Sequence, residues 1–395
     1  MKKILIFGST GSVGKNALEV IRKANNQFKV IGLCANRNVK DLYRQIKEFR
    51  PLYVCVRDEI AAKSIEGKLN REIKIFKGEK GLEQFSKISS DISLMAISGV
   101  SCLRPLMINL KYTKRIALAN KESIVCAGSL VFKEAKKNNT QILPVDSEIN
   151  ALFQLLQVEG KSNHNKHHFK KVLLTASGGA LVNCSKEDLA NVKAKEVLSH
   201  PNWKMGSRIT VDSATLVNKA FEVVEAHYFF NIPYSMIDVT LHNESIIHAL
   251  VQFSDNSFLA SFYKPDMKIP ISHALYYPKR FDASSGFSSG RSKNIFDEKK
   301  MFCCTFNKIN YRRYPLFKVI LNAALKKDNS LTILNAADEV SVDYFLKGKI
   351  EFGMINKVMK YLYKNYQPCR IRTINDVFYW DSWARERAKK YLEGK

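Results

Sequence analysis

Residues 3–24 read KILIFGSTGSVGKNALEVIRKA, and this run decides the fold. Lys3 to Phe7 is an apolar run of strand length. Gly8-Ser9-Thr10-Gly11-Ser12-Val13-Gly14 follows as a glycine-rich turn, and the residues through Ala24 recur with the spacing of an amphipathic helix. Strand, glycine loop and helix in immediate succession are the setting of a dinucleotide fingerprint. The glycines let the backbone turn tightly and approach a pyrophosphate, which then lies at the positive end of a helix. The spacing here is GxxGxxG rather than GxGxxG, so the context carries more weight than the motif. A second strand, Phe28 to Cys34, closes in Ala35-Asn36-Arg37-Asn38. A basic residue there, where an acidic one would bind the ribose of NAD, favours the 2'-phosphate of NADP; a surface arginine is the alternative.

Outward from this unit the alternation continues. Helices are expected at Asp41 to Phe49, Glu59 to Leu69 and Ile124 to Lys137, between short apolar strands at Tyr53, Lys74, Ile92 and Arg115. The pattern predicts a parallel sheet with helices on both faces over residues 1–149, the α/β doubly wound arrangement. Such sheets bind ligands at the C-terminal ends of their strands. Asn120-Lys121-Glu122 sits at one such end, as a binding group or as a surface ion pair.

Two further segments carry candidate chemistry. In LPVDSEINALFQLL, residues 143–156, Asp146 and Glu148 lie two apart, so extended backbone would aim both carboxylates the same way. An acidic first turn of a helix is the other reading. In ITVDSATLVNKAFEVVE, residues 209–225, Asp212 or Ser213 is expected to cap a helix that places Asn218 and Glu222 on one face. Two carboxylates from a strand end and one from a helix suit Mg2+ or Mn2+. The turn Ser177-Gly178-Gly179 offers N–H groups and a hydroxyl to an anion, and Ser213, Asn218 and Lys219 add polar and cationic donors for a phosphate. The run His200-Pro201-Asn202-Trp203-Lys204-Met205-Gly206 reads as a loop able to fold over a ligand, or as one anchored by a buried tryptophan. His248, on an otherwise apolar run, reads as a core histidine.

A chain of 395 residues supports two or three cores. The segment after Asp282 is poor in periodicity and reads as a linker, and from Leu316 onward the pattern is helical. The expected division is 1–149, a nucleotide-binding Rossmann-like domain; 150–281, an α/β catalytic domain; 282–312, a linker; and 313–395, a helical domain. The formal charge of +26 is mostly lysine spread along the whole chain, without a zinc-finger, ribonucleoprotein or aromatic-interleaved basic motif. It therefore predicts attraction of small phosphates rather than a nucleic-acid or membrane partner. Eight cysteines without a CxxC read as reduced thiols of a cytoplasmic protein. The three histidines of residues 164–168 lack a carboxylate or thiol partner and read as a solvated loop. No apolar run reaches membrane-spanning length. A strand starting at Lys3 leaves no room for a signal peptide, and a plastid location would require a transit peptide removed beforehand.

Taken together, GSTGSVG at 8–14, ALANKES at 117–123, PVDSE at 144–148, SGG at 177–179, HPNWKMG at 200–206 and VDSATLVNKAFEVVEA at 211–226 resemble, in order, the 1-deoxy-D-xylulose 5-phosphate reductoisomerase family. The resemblance covers nearly the whole chain. It implies an NADPH- and metal-dependent enzyme that rearranges and reduces 1-deoxy-D-xylulose 5-phosphate to 2-C-methyl-D-erythritol 4-phosphate, acting as a homodimer. It implies Asp146, Glu148 and Glu222 as ligands of Mg2+ or Mn2+, with Glu225 an outer neighbour. Ser177, Ser213, Asn218 and Lys219 would bind phosphate, and Ser147 and Lys121 would contact the substrate or reacting region. His200, Trp203 and Met205, with Gly206, would lie in the loop closing over substrate and nicotinamide, where His200 would also serve catalysis. Gly8, Thr10, Gly11, Ser12 and Val13, with Asn36, Arg37, Asn38, Asn120, Lys121 and Glu122, would line the cofactor. Ile149 stands where the family usually has histidine after DSE, and Ala180-Leu181 where it has Pro-Phe. These departures leave an NADP-dependent reductase of another small phosphorylated carbonyl compound as the alternative.

Overall fold

The strand that leads into the glycine loop lies inside a seven-stranded parallel sheet. The computed structural model describes residues 1–24, 26–158, 169–184, 189, 192–198, 206–280 and 303–394. Backbone contacts group them into two units. The first takes residues from 1–123, 129–146 and 267–280, and the second those from 124–128, 147–266 and 303–394.

In the first unit, strands β1 (Lys2–Phe7), β2 (Phe28–Ala35), β3 (Tyr53–Val56), β4 (Lys74–Lys77), β5 (Ser90–Met95), β6 (Thr113–Leu118) and β7 (Gln141–Pro144) run in the order β4-β3-β2-β1-β5-β6-β7. Every pairing is parallel. Ile4 to Phe7 on β1 and Ile92, Leu94 and Met95 on β5 are buried, the near-continuous apolar reading of strands covered on both faces. The order reverses between β1 and β5, so the ends of these two strands flank the crevice where such sheets bind nucleotides.

The helices between these strands are α1 (Ser12–Arg22), α2 (Val39–Phe49), α3 (Glu59–Glu66), α4 (Gly78–Phe85), α5 (Leu103–Asn109) and α6 (Lys121–Lys137). Side-chain caps fix several starts: Asn38 accepts from Asp41 N–H at 3.2 Å, Asp58 from Ala61 N–H at 2.9 Å, and Asn120 from Ser123 N–H at 2.9 Å. The α11 helix (Lys268–Tyr276), far along the chain, belongs to this unit; it lies against α1, β6 and β7.

The second unit pairs a mixed five-stranded sheet with helices. Its strands β8 (Phe169–Ala176), β9 (Ile237–Leu241), β10 (Ile247–Phe253), β11 (Phe258–Phe262) and β12 (Asn307–Lys308) run in the order β11-β10-β8-β9-β12. Helices α7 (Ser147–Leu156), α8 (Ala194–Val197), α9 (Ser207–Thr215) and α10 (Val217–Phe230) precede β9. Helices α12 (Pro315–Lys326), α13 (Ser330–Leu346), α14 (Phe352–Asn365) and α15 (Ile374–Leu392) follow β12. One apolar core runs from Ile149 and Leu152 through Phe221 and Val224 to Phe317, Leu334 and Ala388. The C-terminal helices thus share their core with the sheet-bearing part of the unit.

One open reading is decided and one local expectation is corrected. Ser147 already begins α7, so of the two readings of this stretch the acidic first turn of a helix, and not extended backbone, carries Glu148. Asp212 and Ser213 do not cap a helix; they lie inside α9, which ends where Leu216 turns to φ 58°, and α10 starts one residue later.

Candidate active site

In the first unit the glycine loop leaves β1 with Gly8 and Ser9 N–H groups both donating to the Cys34 carbonyl, at 2.9 and 2.8 Å. Gly8 has φ +87°, and a Cβ there would sit 2.4 Å from the Ala96 carbonyl oxygen; a Cβ on Gly14 would sit 2.3 Å from the Gly8 oxygen. Those two glycines are therefore required by the fold. Gly11 differs: among the described residues nothing approaches its Cβ position closer than 3.4 Å. Its open face lies at the start of α1, which has no side-chain cap, so the first N–H groups of the helix stay available to an anion. Thr10, Ser12 and Val13 flank that position. At the end of β2, Arg37 is largely exposed, and its Nε donates to Asp58 Oδ2 at 2.7 Å. Asn36 precedes it, and Asn38 is committed to capping α2.

At the end of β6, Asn120 Nδ2 donates to the carbonyls of Ile97 and Gly99, at 2.9 and 3.0 Å, and to Glu122 Oε2 at 2.9 Å. Glu122 accepts from Gly99 N–H at 3.0 Å. These bonds tie the start of α6 to the loop after β5, one side of the crevice. Lys121 is nearly buried and forms an ion pair with Asp146, beyond the end of β7.

The second unit carries the acidic centre. Glu148 on α7 and Glu222 on α10 offer carboxylate oxygens within 4.8 Å of one another. Lys219 Nζ donates to Glu148 Oε1 at 2.7 Å and also to Glu222, while Asn218 Nδ2 donates to Glu222 Oε1 at 2.6 Å. Glu222, Lys219 and Glu225 are buried, so the ammonium offsets a desolvation cost that the carboxylates would otherwise carry. Burial pushes the Glu148 carboxyl up, but the Lys219 charge, His248 and hydrogen bonds from Lys219 and Ser147 outweigh it and hold the group below the usual carboxylate range. Conversely, burial lowers Lys219, but Glu148 and Glu222 win and raise it, so it stays an ammonium at neutral pH. Asp146 is tied to this centre by the chain, two residues before Glu148.

The turn after β8 has Gly178 at φ +79° and Gly179 at φ +71°, and Gly179 N–H donates to Ser177 Oγ at 3.2 Å. A Cβ on Gly179 would lie 2.6 Å from Ala214 Cα, so its absence lets the end of α9 close on this turn and brings Ser177 and Ser213 to the same region. Ser177, Ser213, Asn218 and Lys219 thus come from one turn and two consecutive helices of the same unit.

His248 on β10 belongs near this centre, which its apolar surroundings in sequence hid. The ring is buried, stacks on Tyr263 with centroids 3.9 Å apart, and has Nε2 3.1 Å from the Tyr263 carbonyl oxygen. Burial pulls it down to about 4, against the raising influence of Glu148, so it is neutral at pH 7. Tyr263 in turn donates its hydroxyl to the Ser147 carbonyl at 2.8 Å. Ile149 is wholly buried in the core. Gly206 is exposed at the start of α9, whereas His200, Trp203 and Met205, the histidines of residues 164–168 and the segment 282–302 lie outside the described residues.

The carboxylate pair is a hard oxygen donor set of the kind Mg2+ and Mn2+ prefer. Comparison with known proteins gives the chemistry its family. A family model described as 1-deoxy-D-xylulose 5-phosphate reductoisomerase matches residues 4–128, and models of C-terminal domains of the same family match 142–230 and 263–387. The reductoisomerase of Sulfurihydrogenibium sp. is 42% identical over 395 residues, covering 99% of each chain. That of Thermodesulfovibrio yellowstonii is 43% identical over 393 residues, 99% of this chain and all of its relative. Among solved structures, the Zymomonas mobilis enzyme in complex with NADPH superposes with a TM-score of 0.88 at 31% identity, over 100% of both chains. A DOX-P reductoisomerase in complex with NADPH, fosmidomycin and magnesium gives 0.89 at 32% identity, over 100% of this chain and 98% of the other.

Proposed function

The chain belongs to the 1-deoxy-D-xylulose 5-phosphate reductoisomerase family, and we propose on that premise how its own residues divide the reaction. The enzyme converts 1-deoxy-D-xylulose 5-phosphate to 2-C-methyl-D-erythritol 4-phosphate with NADPH and a divalent metal. The observation that carries the assignment of roles is the meeting of Glu148, Glu222 and Lys219 in one buried cluster, with Asp146 two residues upstream.

Asp146, Glu148 and Glu222 are the ligands of Mg2+ or Mn2+, and Glu225, buried one turn beyond Glu222, steadies the acidic cluster. When bound, the ion supplies Lewis-acid stabilisation of negative charge on the substrate oxygens. Ser177, Ser213, Asn218 and Lys219 hold the phosphate, far enough from the reacting carbons that its binding free energy can orient them. Ser147 and Lys121 bind near the reacting oxygens. Gly8, Thr10, Gly11, Ser12 and Val13 receive the NADPH pyrophosphate at the start of α1, Asn36, Arg37 and Asn38 lie toward its adenosine end, and Asn120, Lys121 and Glu122 line the other side of the crevice. His200, Trp203, Met205 and Gly206 cover substrate and nicotinamide, with His200 contributing to catalysis. Hydride comes from the cofactor; placement and charge come from the chain.

The same proposal assigns 1–149 to the nucleotide, with Asp146, Ser147 and Glu148 at its end serving metal and substrate, 150–281 to metal and substrate, with α11 returning to the first unit, 282–312 to connection and 313–395 to helical support. It takes the enzyme to be a cytoplasmic homodimer. Phe258, Leu259 and Phe262 expose apolar surface on the edge strand β11, which supports association through that edge. No helix among the described residues is long and apolar enough to cross a membrane.

The test is NADPH oxidation, followed by its absorbance, with 1-deoxy-D-xylulose 5-phosphate in the presence and absence of Mg2+ or Mn2+, with identification of the product. Metal-dependent formation of methylerythritol phosphate is the expected result. Reduction without rearrangement, or turnover only of another sugar phosphate, would transfer the roles above to the alternative reductase. Light scattering at graded concentration tests the dimer.

A further inference from the structure

Lys219 carries two assignments that one ammonium cannot fulfil together. Its Nζ donates to Glu148 Oε1 at 2.7 Å and to Glu222, with 4% of the side chain exposed. Those carboxylates are two of the three proposed metal ligands, whereas the phosphate pocket needs the same Nζ on an anion. A divalent ion on these oxygens would meet a positive charge already at hydrogen-bond distance from them, and buried like charges that close repel strongly.

The surroundings allow the conflict to resolve by movement. Lysine is a compact charge on a flexible four-carbon stem, so Nζ can leave while the backbone stays in α10. Asn218 Nδ2 holds Glu222 Oε1 at 2.6 Å, and Ser147 Oγ donates to Glu148 Oε2, so each carboxylate keeps an orienting partner after the lysine departs. Asn218 and Lys219 are adjacent in α10, whose start follows directly on the end of α9 carrying Ser213.

We propose that Lys219 and the divalent ion exchange on Glu148 and Glu222, the ion displacing the ammonium and the freed ammonium completing the site for a phosphate monoester. This rests on the metal reading above and adds to it a linkage: the ion tightens phosphate binding, and phosphate tightens the ion by the same factor. Lys219 is the coupling element. Without it, metal and phosphate would bind independently through this route.

The experiment uses the full chain without NADPH or sugar substrate, and reads free Mn2+ by electron paramagnetic resonance. Mn2+ is titrated into wild type and Lys219→Met, each with and without glycerol 3-phosphate as the phosphate monoester. Wild type is expected to bind Mn2+ roughly tenfold more tightly when glycerol 3-phosphate is present, within the range typical of coupled sites. Lys219→Met is expected to bind Mn2+ more tightly than wild type in its absence, and to lose the coupling. Tight Mn2+ binding by wild type that ignores glycerol 3-phosphate overturns the exchange, and so does a Lys219→Met protein whose Mn2+ affinity is unchanged or weaker. If that variant fails to fold by circular dichroism, the wild-type titration alone decides. Absence of any Mn2+ binding to folded wild type removes the metal site itself, a failure distinct from loss of coupling.

Discussion

Arg208 on α9 places Nη2 3.2 Å from Asp338 Oδ2 on α13, and the aspartate side chain has no exposed surface. The same guanidinium reaches Glu339 at 2.7 Å through Nη1, and Arg385 on α15 bridges Glu339 and Asp381. Two arginines from different helices thus hold the acidic residues of α13 in place and fix the start of α9, one turn before Ser213. Removing one partner of a buried pair leaves the other charge uncompensated, so Arg208→Met should destabilise the protein by about 3 kcal/mol. Thermal unfolding at pH 7.5 measures the loss; an unchanged melting temperature would mean the network contributes nothing net.

Burial raises the Asp338 carboxyl to about 6 from its ordinary 3.8, against the lowering influence of Arg208. A group whose folded-state pKa is raised gives stability that is fully present below the unfolded value and is lost as pH rises through the folded one. Wild type should therefore lose stability relative to Asp338→Asn as pH climbs from about 4 to about 6. Paired melting curves across that interval check the sign, and a difference that grows in wild type's favour would contradict it.

The glycine loop separates fold from ligand. Gly14→Ala sets a methyl 2.3 Å from the Gly8 oxygen and should lower the melting temperature. Gly11→Ala meets nothing closer than 3.4 Å among the described residues, so the fold should survive while NADPH affinity falls roughly tenfold or more, the added methyl occupying space for the pyrophosphate. Thermal shift and nucleotide fluorescence titration on both variants distinguish the two effects. Equal loss of stability would place Gly11 among the structural glycines.

Glu222→Gln should abolish tight Mn2+ binding and reduce kcat/KM by roughly a thousandfold, because several kcal/mol of charge stabilisation is lost with the ion. Glu225→Gln acts at one remove and should cost about tenfold to a hundredfold, with Mn2+ stoichiometry preserved. Metal titration alongside steady-state kinetics separates a ligand from a supporting group. If the two variants behave alike, Glu225 is itself a ligand.

Much of this was legible from local pattern. The strands at Phe28 and Tyr53 and the helix starting at Glu59 follow from short-range apolar spacing and from Asn38 and Asp58 as caps, since both signals act within a few residues. The passage from β7 to α7 stays open between extended backbone and an acidic first turn because the chain changes period within three residues, too short a stretch for alternation to reveal that Ser147 is already helical. The break at Leu216 was hidden as well: leucine seldom takes positive φ, and it is held there by the buried helices on either side. The Arg208, Asp338 and Arg385 network spans more than a hundred residues of chain, and nothing in the spacing of those charges announces it. His248 looked like a core residue because it is one; only the sheet shows that its stacking partner Tyr263 reaches the carbonyl of Ser147.

The late helix α11 also sets an order of events during synthesis. The seven strands and their first six helices are complete by residue 146, yet the cover lying on α1, β6 and β7 is encoded about 120 residues further on. At typical elongation rates the ribosome needs on the order of ten seconds to reach it. Through that interval Phe28 lacks the ring of Tyr276, against which it stands edge-on in the finished unit. The first unit emerges first but matures late, and a fragment cut at residue 146 would carry every strand of its sheet while leaving bare the apolar surface that α11 covers on α1, β6 and β7.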